Sequence, residues 1–108
     1  MSERFEIVVL PRADKDAQRI FEWLRKQSPQ GAATWYSTFL EAVERLAQQG
    51  DVYGLAPEAE SIKRPIRQKL FRTSRGRTYR ILFEIDRDRL YVLHVRAPGQ
   101  KLVDRGNQ

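Results

Sequence analysis

The order of apolar periodicities along the chain predicts an α+β fold with the element sequence β-α-α-β-β-β. Three observations carry this reading. A short apolar run, Phe5 to Leu10, is followed by two long segments with apolar residues three and four apart. Those give way to three segments of alternating character between Ile66 and Arg96. Helices grouped before strands, without regular β-α alternation, imply a helical hairpin on one face of a mainly antiparallel sheet. The strand cations are then expected on the other face or its rim.

Phe5-Glu6-Ile7-Val8-Val9-Leu10 reads as the first strand, closed by Pro11. A helix is expected from Arg12-Ala13-Asp14, with Asp14 and Asp16 near its positive end and Arg25 and Lys26 near its negative one. Ala17, Ile20, Phe21 and Leu24 form its apolar stripe. Ser28 is placed to cap a second helix and Pro29 suits its first turn. That helix extends to about Gln49, with Tyr36, Phe39, Leu40, Val43, Leu46 and Ala47 on one face and Gly50 as its C-terminal stop. Trp23 and Trp35 lie beside the stripes and are expected to be partly buried. Asp51 to Arg64 shows no period and reads as a surface connection.

Three strands follow. Ile66 to Arg72 alternates roughly and ends at Ser74-Arg75-Gly76-Arg77. Tyr79, Ile81, Phe83 and Ile85 alternate with Arg80, Leu82 and Glu84. After Asp86-Arg87-Asp88-Arg89, the segment Leu90 to Val95 is nearly all apolar, as a central strand covered on both faces is. The tail after Arg96 should begin ordered and end frayed.

With 108 residues the chain reads as one domain, residues 1–108. Cysteine is absent, which excludes disulfides and thiolate metal sites. No apolar run approaches the ~20 residues that span a bilayer, so a soluble, cytoplasmic protein without a membrane partner is expected. Charge is unevenly placed: residues 1–61 hold 7 Lys/Arg against 10 Asp/Glu, and residues 62–108 hold 13 against 4. Cations gathered on the strand half suggest a platform for an anionic partner.

No phosphate-binding glycine loop, metal cluster or Ser-His-Asp set is present, and no cofactor is expected. His94, the one histidine, sits in an apolar strand and reads as structural. The chemical resource is guanidinium and ammonium: Arg67, Lys69, Arg72, Arg77, Arg80 and Arg96 are the candidate anion- or target-binding residues. Arg80, in mid-strand, stands out, because an arginine there needs either an ion pair or an open groove. Glu84 or a helix glutamate is the expected internal partner if the first holds.

The stretch Gly76-Arg77-Thr78-Tyr79-Arg80-Ile81-Leu82-Phe83-Glu84-Ile85, followed by a charged turn and Leu90 to Val95, resembles the RelE/ParE superfamily of type II toxin–antitoxin toxins. So does the first strand ending in Pro11-Arg12-Ala13 before a helical hairpin; the likeness runs from Phe5 to Arg96. It implies one of two activities. RelE-like members cleave mRNA on the ribosome with clustered Lys and Arg, for which Lys69, Arg80 and Arg96 would be the catalytic cations here. ParE-like members poison DNA gyrase without nuclease chemistry. The nuclease pattern adds basic residues and a tyrosine after the last strand, whereas Ala97-Pro98-Gly99-Gln100 follows here and no tyrosine comes after Tyr91. A base for RNA cleavage would have to be Tyr79, Tyr91 or His94, all within strands. The resemblance therefore favours a gyrase-directed toxin, restrained in a hetero-oligomer by a cognate acidic antitoxin. The alternatives are a ribosome-dependent mRNA endoribonuclease and a non-toxic basic binding module.

Overall fold

The computed structural model describes residues 4–73 and 76–104. Strand β1 (Glu6–Val9) leads into helices α1 (Pro11–Gln27) and α2 (Pro29–Gln49). A 3-10 turn (Gly50–Val52) and a one-turn helix α3 (Glu58–Ile62) precede strands β2 (Arg67–Phe71), β3 (Tyr79–Asp86) and β4 (Arg89–Arg96). The sheet order is β1-β4-β3-β2, antiparallel except where β1 runs parallel to β4. The predicted β-α-α-β-β-β order is observed, and β4 is central. Its register carries an irregularity beside Leu82 and Phe83, so that Leu82 faces His94 while Phe83 faces Val92.

Local chemistry explains the helical hairpin. Pro11 is the first residue of α1, where its missing N–H costs nothing, so it starts the helix as well as ending the strand. Ser28 serves both helices. Its N–H closes α1 on the Leu24 carbonyl at 2.8 Å, and its Oγ accepts the Gly31 N–H at 3.0 Å to cap α2. Gly50 stops α2 as expected, its N–H closing the helix on the Leu46 carbonyl, with a φ of −56°, an ordinary helical value. Glycine is required by a close approach instead, since a Cβ there would lie 2.4 Å from Leu90 Cδ1.

One face of the sheet packs on the hairpin. Tyr79, Ile81, Phe83, Leu90, Val92 and Val95 meet Ala13, Ala17, Trp35, Phe39 and Leu46. Trp35 and Phe39 stack with centroids 5.6 Å apart and both lie about 5.9 Å from Phe71. The buried line of α2 runs through Ala32, Trp35, Phe39, Ala42 and Leu46, turned from the expected stripe, and this leaves Tyr36 and Leu40 43% and 49% exposed. The tryptophans divide sharply: Trp35 is buried, while Trp23 is 57% exposed.

The opposite face is covered too, which corrects the expectation of an open cationic platform. The segment Asp51 to Arg64 is no plain surface connection, because α3 lies on that face. Ile62, Ala56, Ile66, Leu82 and Val103 form a second small core there. Val103 belongs to the tail, which is folded back as far as Asp104 is described. The free edge of β2 is partly closed by the chain before α3. Ala56 N–H donates to the Ile66 carbonyl at 2.8 Å and Gln68 N–H to the Gly54 carbonyl at 3.1 Å.

Candidate functional site

Register decides which of the six candidate cations can meet. Residues directly opposite one another in neighbouring strands share a face. Arg67 lies opposite Phe83 and Lys69 opposite Ile81, so both point to the hairpin side. Arg80 lies opposite Leu70 and Arg96, and so points to the other side, with Gln68 as a neighbour. The sheet itself separates Arg67 and Lys69 from Arg80 and Arg96.

Each of these four cations has an internal partner. Arg67 donates to the Tyr53 carbonyl, and Lys69 donates to the Tyr53 hydroxyl at 2.9 Å with its ammonium 4.5 Å from that ring's centre. Arg96 is nearly buried and donates to the Lys101 carbonyl in the returning tail. Burial, its largest influence, pulls its pKa below the usual guanidinium range, with Arg80 and Arg12 adding repulsion and Asp16 and Glu58 opposing.

Arg80 is held by Glu58. Its Nη1 and Nη2 donate to Glu58 Oε1 and Oε2 at 2.9 and 2.7 Å, a two-pronged pair, and Nη1 also reaches Gln68 Oε1 at 2.9 Å. Glu58 is fully buried and accepts the Val103 N–H at 3.3 Å. Burial is the largest influence on Glu58 and would raise its pKa. The Arg80 hydrogen bonds, two backbone N–H groups and the Arg80 charge together outweigh it, so the carboxyl titrates below the usual range. The expected partner Glu84 is paired with Arg64 instead. This ion pair also explains how two arginines can sit opposite each other, an arrangement that repels when uncompensated.

A second buried carboxylate, Asp16, finishes the β4 edge beyond the end of β1. Its Oδ2 accepts the Val95 N–H at 3.0 Å, and Arg12 Nε and His94 Nδ1 each stand 3.6 Å from its oxygens. Burial pushes the Asp16 pKa up most; His94, the Val95 N–H and Arg12 outweigh it and leave it lowered. His94 is buried against this group, in keeping with a structural role.

Of the three candidate bases, His94 lies against Asp16. Tyr79 is buried, and burial raises its pKa despite the nearby charge of Arg77. Tyr91 lies opposite Glu84 beside a hollow of about 610 Å³, remote in register from the Arg80–Arg96 pair. Among the described residues no cluster of three or more His, Cys, Asp or Glu is placed to hold a metal ion. The two remaining candidates, Arg72 and Arg77, are exposed at the two ends of the β2–β3 connection. Ser74 and Arg75, at its tip, lie outside the described residues.

Sequence reasoning missed Glu58, Tyr53 and the Lys101 carbonyl as the groups that engage these cations, and Asp16 as the acid beside Arg12 and His94. For Glu58 the one available signal was a mid-strand arginine in need of a partner. A further surface emerges on the outer side of the hairpin. Phe21 and Tyr36 meet edge-to-face at 5.9 Å beside a hollow of about 400 Å³, with Leu40 exposed nearby on α2.

With this geometry established, likeness to known proteins becomes informative. Residues 7–101 match the family described as "ParE toxin of type II toxin-antitoxin system, parDE". No curated protein matches. Among solved structures, the chain is similar to a protein of the "Chromosomal ParDE TA system from P. aeruginosa". The TM-score is 0.67 at 16% identity, covering 88% of this chain and 97% of that one. At such identity the likeness speaks for the fold alone, and it agrees with the β-α-α-β-β-β architecture described above. The family match spans nearly the whole chain, and on that ground the protein belongs to the ParE toxin family of type II toxin–antitoxin systems.

Proposed function

We propose that the protein is a growth-inhibiting toxin of the cytoplasm that binds DNA gyrase and is neutralised by a cognate antitoxin. Membership of the ParE family supports this reading over ribosome-dependent mRNA cleavage. One structural observation adds to it. Lys69 and Arg80, two cations that a phosphate-cleaving cleft would need to combine, lie on opposite faces of the sheet, and Arg80 is engaged by buried Glu58. Stabilising a pentavalent phosphate requires cations converging on one point and free to bind it. The reading is therefore of a toxin that binds its target without cutting RNA.

The antitoxin is proposed to be an acidic chain that lays an amphipathic segment on the hairpin. The patch of half-buried Phe21 with exposed Tyr36 and Leu40 suits the apolar side of such a segment, and the net charge of +6 suits its acids. Purified protein added to a gyrase supercoiling reaction should block supercoiling or accumulate cleaved DNA. Unchanged supercoiling at saturating protein, together with ribosome-dependent mRNA cleavage, would overturn the proposal.

A further inference from the structure

Helix α1 carries a second periodicity besides its apolar stripe. Arg12, Lys15, Arg19, Trp23 and Lys26 recur at i, i+3, i+7, i+11 and i+14, which places them in one line along the helix. All five are exposed. The line is about 21 Å long at 1.5 Å per residue. Arg12 lies 3.6 Å from Asp16, but Lys15, Arg19 and Lys26 form no ion pair among the described residues. Phe21 falls on the opposite flank, towards α2.

Alongside Trp23 the surface is hollowed. A trough of about 280 Å³, lined by Arg19, Trp23, Arg77, Tyr79 and Pro98 among others, adjoins one of about 480 Å³ that Trp23, Trp35, Arg77 and Tyr79 also border. Neither has a carboxylate among its described lining residues. The first lies just below the ~300–1,000 Å³ range of pockets that enclose a free ligand and the second in its lower half. Their size and openness suit successive groups of a polymer.

The geometry points to this flank of α1, with Arg77 across the trough, as a binding surface for single-stranded DNA. Unpaired strands are gripped by cations that follow the phosphates and by aromatic faces on which bases stack. Here one exposed indole stands between Arg19 and Lys26, with Arg77 facing it. An acidic helical peptide would demand a ridge of several apolar residues at i, i+3 and i+4 instead. That kind of surface lies on the other flank, at Phe21, Tyr36 and Leu40. The choice of DNA over other polyanions rests on the proposed target, DNA gyrase. The surface itself is tested without gyrase.

The full-length protein is titrated with a fluorescein-labelled 15-mer of deoxythymidine, following anisotropy and tryptophan emission together. Binding should quench Trp23. Neutralising four phosphates through Lys15, Arg19, Lys26 and Arg77 gives a log–log salt slope of about −3, so affinity falls on the order of 50-fold between 50 and 200 mM salt. Trp23→Ala should weaken binding about tenfold at fixed salt. The double change Arg19→Glu with Arg77→Glu should abolish it, and unchanged circular dichroism would show that both variants are folded. A 15-base-pair duplex should bind without quenching, because its bases are already stacked. The inference is overturned if the 15-mer fails to bind at 50 mM salt or leaves emission unchanged. It is equally overturned if poly-glutamate or the ribouridine 15-mer binds as tightly with the same quench. A protein that binds the strand yet leaves gyrase unaffected would refute the proposed target and leave this surface standing.

Discussion

Two sets of cations on this protein carry the same charge and have opposite fates. Arg67, Lys69, Arg80 and Arg96 lie on the sheet, and each is held by a group of the chain itself: Tyr53, Glu58 or the tail carbonyl of Lys101. Lys15, Arg19 and Lys26 lie on α1 and Arg77 at the end of the β2–β3 connection, all exposed and without ion pairs among the described residues. The first set stabilises the fold because it is desolvated and paired; the second is available to a partner because it is neither. Counting charge along the chain pointed to the strand half, yet among the described residues the exposed cations without ion pairs are divided between both halves, with Lys15, Arg19, Lys26 and Arg45 in the acidic one and Lys63, Arg72, Arg77, Arg87 and Lys101 in the other. Net charge of a segment therefore says little about which charges can act outward.

The sharpest way to break the comparison is to remove the acid that holds Arg80. Glu58→Ala leaves a largely buried guanidinium without a counter-charge, held by Gln68 alone, and the Val103 N–H unpaired. With Arg80 retaining 19% side-chain exposure, the loss should sit near the low end for broken buried pairs, about 3 kcal/mol by denaturant unfolding. Replacing both partners with leucine should recover much of that, since neither charge then remains to be desolvated. Next in size, Val103→Ala should cost about 2 kcal/mol, because Val103 fills the second core beneath the tail. A change within ±0.5 kcal/mol would show that the tail is not part of the cooperative unit.

Acid should act on the same paired set with a gentler loss. Glu58 and Asp16 both have folded-state pKa values below their unfolded ones. Their contribution is thus fully present above the unfolded values, near 4, and is lost as pH falls through the folded values. Unfolding free energy measured from pH 6 down to pH 2 should decline, and Glu58→Gln with Asp16→Asn should flatten that decline. The smallest effect belongs to the free set. Lys15→Gln and Arg19→Gln should leave stability within about 0.5 kcal/mol, as exposed charges without partners do. A large loss there would erase the distinction between the two sets.

Much of the architecture was legible because it depends on period. The 3.6 repeat through Ala17, Ile20, Phe21 and Leu24, the Ser28-Pro29 junction and the alternation of Tyr79 to Ile85 each act within a few residues. What was not legible had short elements or distant partners. Helix α3 is five residues long, too brief for a helical repeat to register. Its Glu58 is a residue type almost never fully buried unless paired, and the pair is formed 22 positions away in sequence. The two tryptophans were indistinguishable in sequence, yet Trp35 anchors the aromatic core and Trp23 stands in solvent.

From the residues alone came the element order, the sheet's central strand, the helical hairpin and the resemblance that the family match upholds. These follow from local pattern, since burial on one side of a helix or strand must repeat with that element's own period. Only the tertiary structure decided which cations are free. Strand register sends neighbours in sequence to opposite sides of the sheet, and a guanidinium's fate turns on whether some remote segment brings a carboxylate or carbonyl within about 3 Å of it.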